Sequence, residues 1–410
     1  MDARILKSSF AVVERRAEHA VKFFYSHLFW HNPDMRALFP ASAEDMERQR
    51  DRLFAALTHV IGHLEDETLL PYLRELGRDH RKFLAGPAHY TAVGASLLAA
   101  LAETAGDAWT PRAEKAWAEA YQLIADTMTA GAAAGEGPPW WDAEVVRHLR
   151  YGQDVGVLTL RPALPFPHLP GQYASVSSDR VPRTWRTYSL GNAPRPDGTV
   201  DLHVSRIEGG RLSPALVAET RPGDRLRLGA ACGQLTFRRA GRPASLIAAG
   251  TGWAPVRALL EELAQHPPDQ EVRLFVVARD AAHLYDRPLI DAYAGTCPWL
   301  AVTYITPAPG RHRNQATDRL ATALGNRGRW PDQDVYLSGP APFVQETAHL
   351  LAGLGAPADR TFHDSVPAAG RGQGANGRPL GFGEWFIDPP APQWHNPSGR
   401  APRGGGPATE

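Results

Sequence analysis

The sequence predicts a multidomain chain of three unlike parts: an all-α domain over residues 1–134, an antiparallel β-barrel over 140–241, and an α/β parallel-sheet domain over 242–366. Three observations predict it. Apolar residues recur at helical spacing through the first part, short β-rich runs punctuated by Pro and Gly fill the second, and strands alternate with helical segments in the third. Residues 135–139, inside "AGAAAGEGPPW", read as a linker of small residues and prolines. The Gly- and Pro-rich tail, 367–410, has a composition that predicts disorder.

In the all-α part, "EDMERQRDRLFAALTHVIGHL" places Met46, Leu53, Leu57, Val60 and Leu64 at helical spacing. "PRAEKAWAEAYQLIADTMTA" repeats the pattern with Ala113, Trp117, Tyr121, Ile124 and Met128. Between them, the helix running into "YLRELGRDHRKFLAGPAHY" carries Leu69, Leu73, Leu76, His80 and Phe83 on one stripe, with Arg74, Glu75, Arg78, Asp79 and Lys82 elsewhere. His80 therefore faces inward. Burying a ring nitrogen without a partner costs about 1–3 kcal/mol, so a hydrogen-bonding group or a metal must meet it. Gln49 lies one turn before Leu53 on the same inward stripe, and Tyr25 sits among Phe24 and Phe29, where its hydroxyl also needs a partner.

In the second part, "DVGVLTLRP", "GQYASVSS", "TVDLHVSRI" and "DRLRLGA" read as the strands of a small barrel. "RTWRTYSLGNAP" sets Arg186, Tyr188 and Ser189 along an extended segment. An arginine suits a diphosphate, and a tyrosine offers a flat face to an aromatic ring system. In the third part, "LIAAGTGWAPVRALL" runs an apolar strand through Gly250, Thr251 and Gly252 into a helix, a turn whose backbone amides and helix N-terminus suit a pyrophosphate. "YLSGPAPFV" repeats the logic at Gly339 and Pro340, so two such turns on one sheet point to a nucleotide site.

Composition narrows the function classes. With 44 basic and 44 acidic residues the net charge is zero, which favours small-molecule partners over nucleic acid or an anionic membrane. The charged start "MDARILKSSFAVVERRAEH" and the lack of a stretch of about 20 apolar residues lead us to expect a soluble, cytoplasmic chain. Cys232 and Cys297 are too few for a disulfide framework, a Cys-ligated zinc or a four-Cys iron–sulfur cluster. Any redox metal must be held another way.

The motifs "GQY", "RTYS", "GGRLSPAL", "GTGWAP" and "YLSGPAPF", in that order over roughly residues 140–365, resemble the ferredoxin–NADP reductase superfamily. The resemblance implies that Tyr173, Arg186, Thr187, Tyr188 and Ser189 bind FAD, with Ser213 near its pyrophosphate. It also implies that Gly250, Thr251, Gly252, Trp253, Ala254 and Pro255, with Gly339 and Pro340, bind NADH or NADPH. Arg279, following a strand in "VVARDAAHLYD", could meet a 2′-phosphate, whereas Asp280 could take a ribose hydroxyl, so the coenzyme stays open.

Upstream, "KFFYSHLFWHNPDMRALFP", "QRDRLFAAL", "DHRKFLAGPAHYTAVGASLLAAL" and "AWAEAY" resemble the globin domain of flavohaemoglobins. This resemblance implies haem b with His80 as the proximal iron ligand, Tyr25 and Gln49 as distal hydrogen-bond donors, Phe39 against the haem, and Tyr90 as the proximal tyrosine. Four departures stand out. Ala134 takes the place of the family's relay glutamate, with Glu136 two residues further on. Asp79 precedes the histidine where many relatives have Lys, Ser338 replaces a usual Cys, and Ser365 replaces an aromatic that would cover the flavin.

The implied activity is nitric oxide dioxygenation, a detoxification in which NAD(P)H reduces FAD, FAD reduces the haem iron, and dioxygen held there converts nitric oxide to nitrate. No separate protein partner is required. Two alternatives remain at this level. One is an NAD(P)H-dependent haem or ferric reductase with little dioxygenase activity. The other is an oxygen or nitric oxide sensor, for which the sequence offers no output domain.

Overall fold

The computed structural model describes residues 2–307, 315–325 and 330–364. Helices α1 (Ala3–Glu14), α2 (Ala17–His31), α3 (Ala43–Gly62), α4 (Leu69–His80), α5 (Pro87–Ala105) and α6 (Pro111–Ala133) form the first part. Side-chain oxygens of Asp2, Ser42 and Thr110 accept the main-chain N–H groups left open at the starts of α1, α3 and α6. Proline at the start of α5 and α6 supplies a preset φ where no N–H is needed.

One apolar core, with Phe10, Phe24, Leu28, Leu101 and Trp117, joins α1, α2, α5 and α6. A smaller core of Val60, Leu69, Leu73 and Met128 holds α4 against α3 and α6. There α4 and α6 meet backbone to backbone. A Cβ at Gly77 would lie 2.0 Å from the Met128 carbonyl oxygen, and one at Gly131 would lie 2.2 Å from that of Arg74. These two glycines set how closely the helix ending in His80 approaches α6.

The second part is a six-stranded antiparallel sheet of β1 (Trp141–Tyr151), β2 (Val155–Pro162), β3 (Tyr173–Ser178), β4 (Val181–Ser189), β5 (Val200–Ser205) and β6 (Arg225–Cys232). Their order is β4-β3-β6-β1-β2-β5. An isolated bridge between Leu190 and Leu202 brings the two end strands together, which closes the sheet toward a barrel. Strand β1 precedes the four β-rich runs of the sequence and alternates buried Trp141, Ala143 and Val145 with exposed Asp142 and Glu144. A register shift between Val145 and Arg147 then breaks the alternation and hides its period. A short α7 (Leu212–Pro214), continued as a π-helical turn through Glu219, packs beside the sheet.

The third part is a parallel sheet, β11-β10-β7-β8-β9, made of β7 (Ala244–Ala249), β8 (Val272–Val277), β9 (Leu300–Ile305), β10 (Asp334–Ser338) and β11 (Thr361–Phe362). Helices α8 (Trp253–Gln265), α9 (Arg287–Thr296), α10 (Gln315–Gly325) and α11 (Ala341–Gly353) connect its strands. The chain runs outward from β7 through β8 and β9, then returns to place β10 on the other side of β7. Strand order reverses between β7 and β10, where sheets of this type open a ligand crevice at their carboxyl ends. Ser365 and the tail lie outside the described residues. Among the described residues no single helix is long and apolar enough to cross a membrane.

Candidate active site

His80 is the last residue of α4, followed by a 3-10 turn, Arg81–Phe83, and by Leu84 in the left-handed region at φ +54°. Its Nδ1 lies 2.8 Å from the Leu76 carbonyl oxygen, one turn back in the helix. That contact requires a proton on Nδ1, so Nε2 keeps its lone pair, and Nε2 has no hydrogen-bond partner among the described residues. Burial holds the ring below the ordinary histidine range, while Asp79 and the Leu76 carbonyl pull the other way. A neutral imidazole, oriented by a backbone carbonyl and offering one free nitrogen, fits an iron ligand. Phe83 packs edge-on at 5.4 Å between ring centroids.

On α2, Tyr25 is buried with its ring edge-on to Phe24 at 4.9 Å and to Phe39 at 5.6 Å. Phe29 completes the cluster at 5.2 Å from Phe39. Burial pushes the Tyr25 hydroxyl well above its ordinary value, so it stays protonated and able to donate. It donates to the main-chain carbonyl of Gln49 at 3.5 Å, the weak limit of a hydrogen bond. Tyr25, Phe39 and Gln49 are thus brought together. Sequence reasoning missed Arg50, whose charge reaches Tyr25 and whose Nε is buried without a hydrogen-bond partner among the described residues. An arginine beside a polar residue on a helix gives no sequence signal of burial.

Tyr90, near the start of α5, is half-buried and packs against the small core of α4 and α6, and burial raises its hydroxyl. Its main-chain carbonyl accepts the Tyr121 hydroxyl at 2.5 Å. Among the described residues no hydrogen bond joins the Tyr90 hydroxyl to His80 or Glu136. Ala134 caps α6 and is exposed, and Glu136 is held through its main-chain oxygen by Arg81 at 3.0 Å.

In the barrel, β3 and β4 pair with Tyr173 opposite Ser189, Ala174 opposite Tyr188 and Ser175 opposite Thr187. The residues of the predicted flavin segment therefore share one two-strand ribbon. Burial raises the hydroxyls of Tyr173 and Tyr188, and Thr187 is exposed. Arg186 and Arg211 converge from β4 and the turn before α7 on the carboxylate of Asp45. Two guanidinia at one point suit a diphosphate. Ser213 is buried, and its Oγ accepts the Ile207 N–H at 3.1 Å, so this hydroxyl shapes the turn.

At the switch point between β7 and β10, a Cβ on Gly252 would lie 2.4 Å from the Ser338 carbonyl oxygen and 2.5 Å from the Gly339 nitrogen. Only glycine lets the two predicted turns close on each other, and this contact brings Gly250, Thr251 and Gly252 to Gly339 and Pro340. Trp253, Ala254 and Pro255 are placed differently from a side-chain contact set: all three are buried in the first turn of α8, and the Trp253 indole donates to Asp286 at 2.8 Å. What they offer a nucleotide is the start of a helix. Arg279 pairs with Asp154 of the barrel, and Asp280 accepts from the His283 main chain and ring.

Comparison with known proteins agrees with this arrangement. Residues 22–128 match the Globin family, 143–237 the oxidoreductase FAD-binding domain, and 246–349 the oxidoreductase NAD-binding domain. A flavohemoprotein of Bordetella parapertussis is 30% identical over 398 residues, covering 89% of this chain and 97% of the relative. One from Chromobacterium violaceum is 31% identical over 393 residues, covering 88% and 96%. The crystal structure of a flavohemoglobin from Malassezia yamatoensis, with bound FAD and heme, matches the fold at a TM-score of 0.73 and 21% identity, covering 88% of this chain and 97% of that one. The chain belongs to the flavohaemoprotein family, three-domain oxidoreductases that use haem, FAD and a nicotinamide dinucleotide.

Proposed function

We propose that this chain is an NAD(P)H-dependent nitric oxide dioxygenase, the known role of its family, with His80 as iron ligand. The observation that carries the proposal is the position of α4. One face ends in a neutral imidazole with a free Nε2, and on another Asp79 and Arg78 meet strands β3 and β6 of the FAD-binding sheet. When bound, FAD accepts a hydride and releases single electrons, and haem supplies an iron centre for dioxygen.

The chain's own residues set the conditions for that chemistry. The close contact of Gly252 with Gly339 sets both turns at the start of α8, where they would hold the dinucleotide, and Arg186 and Arg211, now joined to Asp45, would hold the flavin diphosphate. Tyr173, Thr187, Tyr188 and Ser189, on the β3–β4 ribbon, would hold the flavin, and Ser213 shapes the turn at Ile207. The Leu76 carbonyl keeps the His80 ring in one tautomer. Tyr25, kept protonated by burial, and Gln49 would donate hydrogen bonds to dioxygen held in the pocket, and Phe39 would wall it. NAD(P)H is an intracellular reductant, so we place the reaction in the cytoplasm.

A second reading, a haem reductase that makes little nitrate, is favoured by one feature: among the described residues Tyr90 has no carboxylate partner, and Ala134 cannot supply one. An anaerobic titration with NAD(P)H followed by absorption separates the steps. Flavin bleaching followed by ferrous haem, with oxidation restored by air and nitric oxide together, supports the dioxygenase. Ferrous haem that reoxidises in air at the same rate with or without nitric oxide contradicts it.

A further inference from the structure

We propose that Lys82, Asp79 and Ser175 are positioning residues that lock the His80 helix onto the FAD-binding sheet and so fix the geometry of interdomain electron transfer. The inference rests on the functional reading above and deepens it.

Lys82 belongs to the first domain, yet its side chain is only 4% exposed. Its ammonium lies 2.5 Å from both carboxylate oxygens of Asp79 and 2.6 Å from the Ser175 hydroxyl on β3. Ser175 in turn donates to Asp79 at 2.9 Å. All three ammonium hydrogens are used, and the hydroxyl both accepts and donates. The rings of Phe83 and Trp185 cover the charge, with centroids 5.1 and 5.6 Å from Nζ. A buried cation this fully enclosed is stable only while its partners hold their places, so the triad tolerates little movement between the two domains.

Geometry links this contact to the redox centres. Asp79 and Lys82 flank His80, while Ser175 stands opposite Thr187 and two residues from Tyr173 on the predicted flavin ribbon. The same face of α4 makes two more crossings into the barrel. Glu75 accepts the Gly233 N–H at 3.0 Å, and Arg78 reaches the Ala231 carbonyl at 3.5 Å. Residues 75, 78, 79 and 82 therefore form a docking stripe, turned away from the stripe that carries Leu73, Leu76 and His80. One helix holds the iron ligand on one side and grips the flavin sheet on the other.

The test uses the full-length protein with haem and FAD, in the variants Ser175→Ala and Lys82→Met and the neutral pair Asp79→Asn/Lys82→Met. Stopped-flow absorption follows flavin reduction by NAD(P)H and then haem reduction. We expect flavin reduction to be unchanged in all three, and haem reduction to slow at least 3-fold in Ser175→Ala and at least 10-fold in the other two. Amide hydrogen exchange, which needs no turnover, should speed up in 77–82 and 174–176. Ser175→Ala decides the matter if Lys82→Met loses haem, because it leaves α4 itself intact. Wild-type haem reduction and exchange in Ser175→Ala overturn the proposal. Failure of flavin reduction or absence of haem in the wild type would instead sink the functional reading beneath it.

Discussion

The Arg186 guanidinium on β4 and the Asp45 carboxylate on α3 form an ion pair between the first two domains, with Nη2 and Oδ1 2.7 Å apart and the carboxylate 1% exposed. Arg211 joins at 3.2 Å, and Ser42 donates to the same carboxylate at 2.8 Å. The helix that carries Gln49 is thus tied at its first turn to the segment predicted to hold the flavin diphosphate.

Burial pushes the Asp45 carboxyl up, but the Ser42 hydroxyl and the two guanidinia outweigh it and hold the group below the usual carboxylate range. A depressed folded-state pKa contributes stability that is complete above the unfolded value, near 3.9, and is lost as pH falls through the folded value. Asp45→Asn should therefore destabilise the protein by about 1.5–3 kcal/mol at pH 7. The gap from wild type in urea midpoints should shrink steadily below about pH 4. A gap that stays constant into acid would show that the pair contributes nothing.

His80→Ala should abolish haem retention while FAD stays bound, because the ligand nitrogen is lost from α4 and the β3–β4 ribbon lies in another domain. Absorption spectra of the purified variant check this directly. Normal haem content would remove His80 from the iron.

Ala134→Glu should lower the haem reduction potential. Among the described residues no carboxylate meets the Tyr90 hydroxyl, so on the proposed reading the imidazole is a weaker electron donor than with a complete relay, and a new carboxylate there should raise its basicity. Spectroelectrochemical titration reads the shift. An unmoved potential would mean that the new side chain does not reach Tyr90.

Gly77→Ala should cost about 1–3 kcal/mol and loosen haem binding, because the added methyl meets the Met128 carbonyl and forces α4 off α6. Thermal unfolding and haem dissociation rates report the two effects. Wild-type values for both would show that the crossing relaxes freely.

The helices, most of the strands and the inward face of His80 were legible in the sequence, because period and turn chemistry are local properties. Lys82 shows what was not. By helical period it falls on the polar side of α4, and the structure buries it, because that polar side is the docking surface for a second domain. No single-helix pattern contains that information. Arg186 is a parallel case: its type suggested a diphosphate, while Asp45, 141 positions away in sequence, was invisible as its partner. The resemblance set Trp253 among the dinucleotide-binding residues, but its indole is core, fixed by Asp286.

The most direct test of the account is the balance of nitric oxide, NAD(P)H and nitrate in one aerobic reaction. A hydride supplies two electrons and each dioxygenation cycle consumes one, so about two nitric oxide molecules should disappear and about two nitrate ions appear per NAD(P)H oxidised. Tyr25→Phe should reduce the rate and leave flavin reduction untouched. Steady NAD(P)H oxidation and reducible haem without nitrate would contradict the dioxygenase and leave the haem reductase in its place.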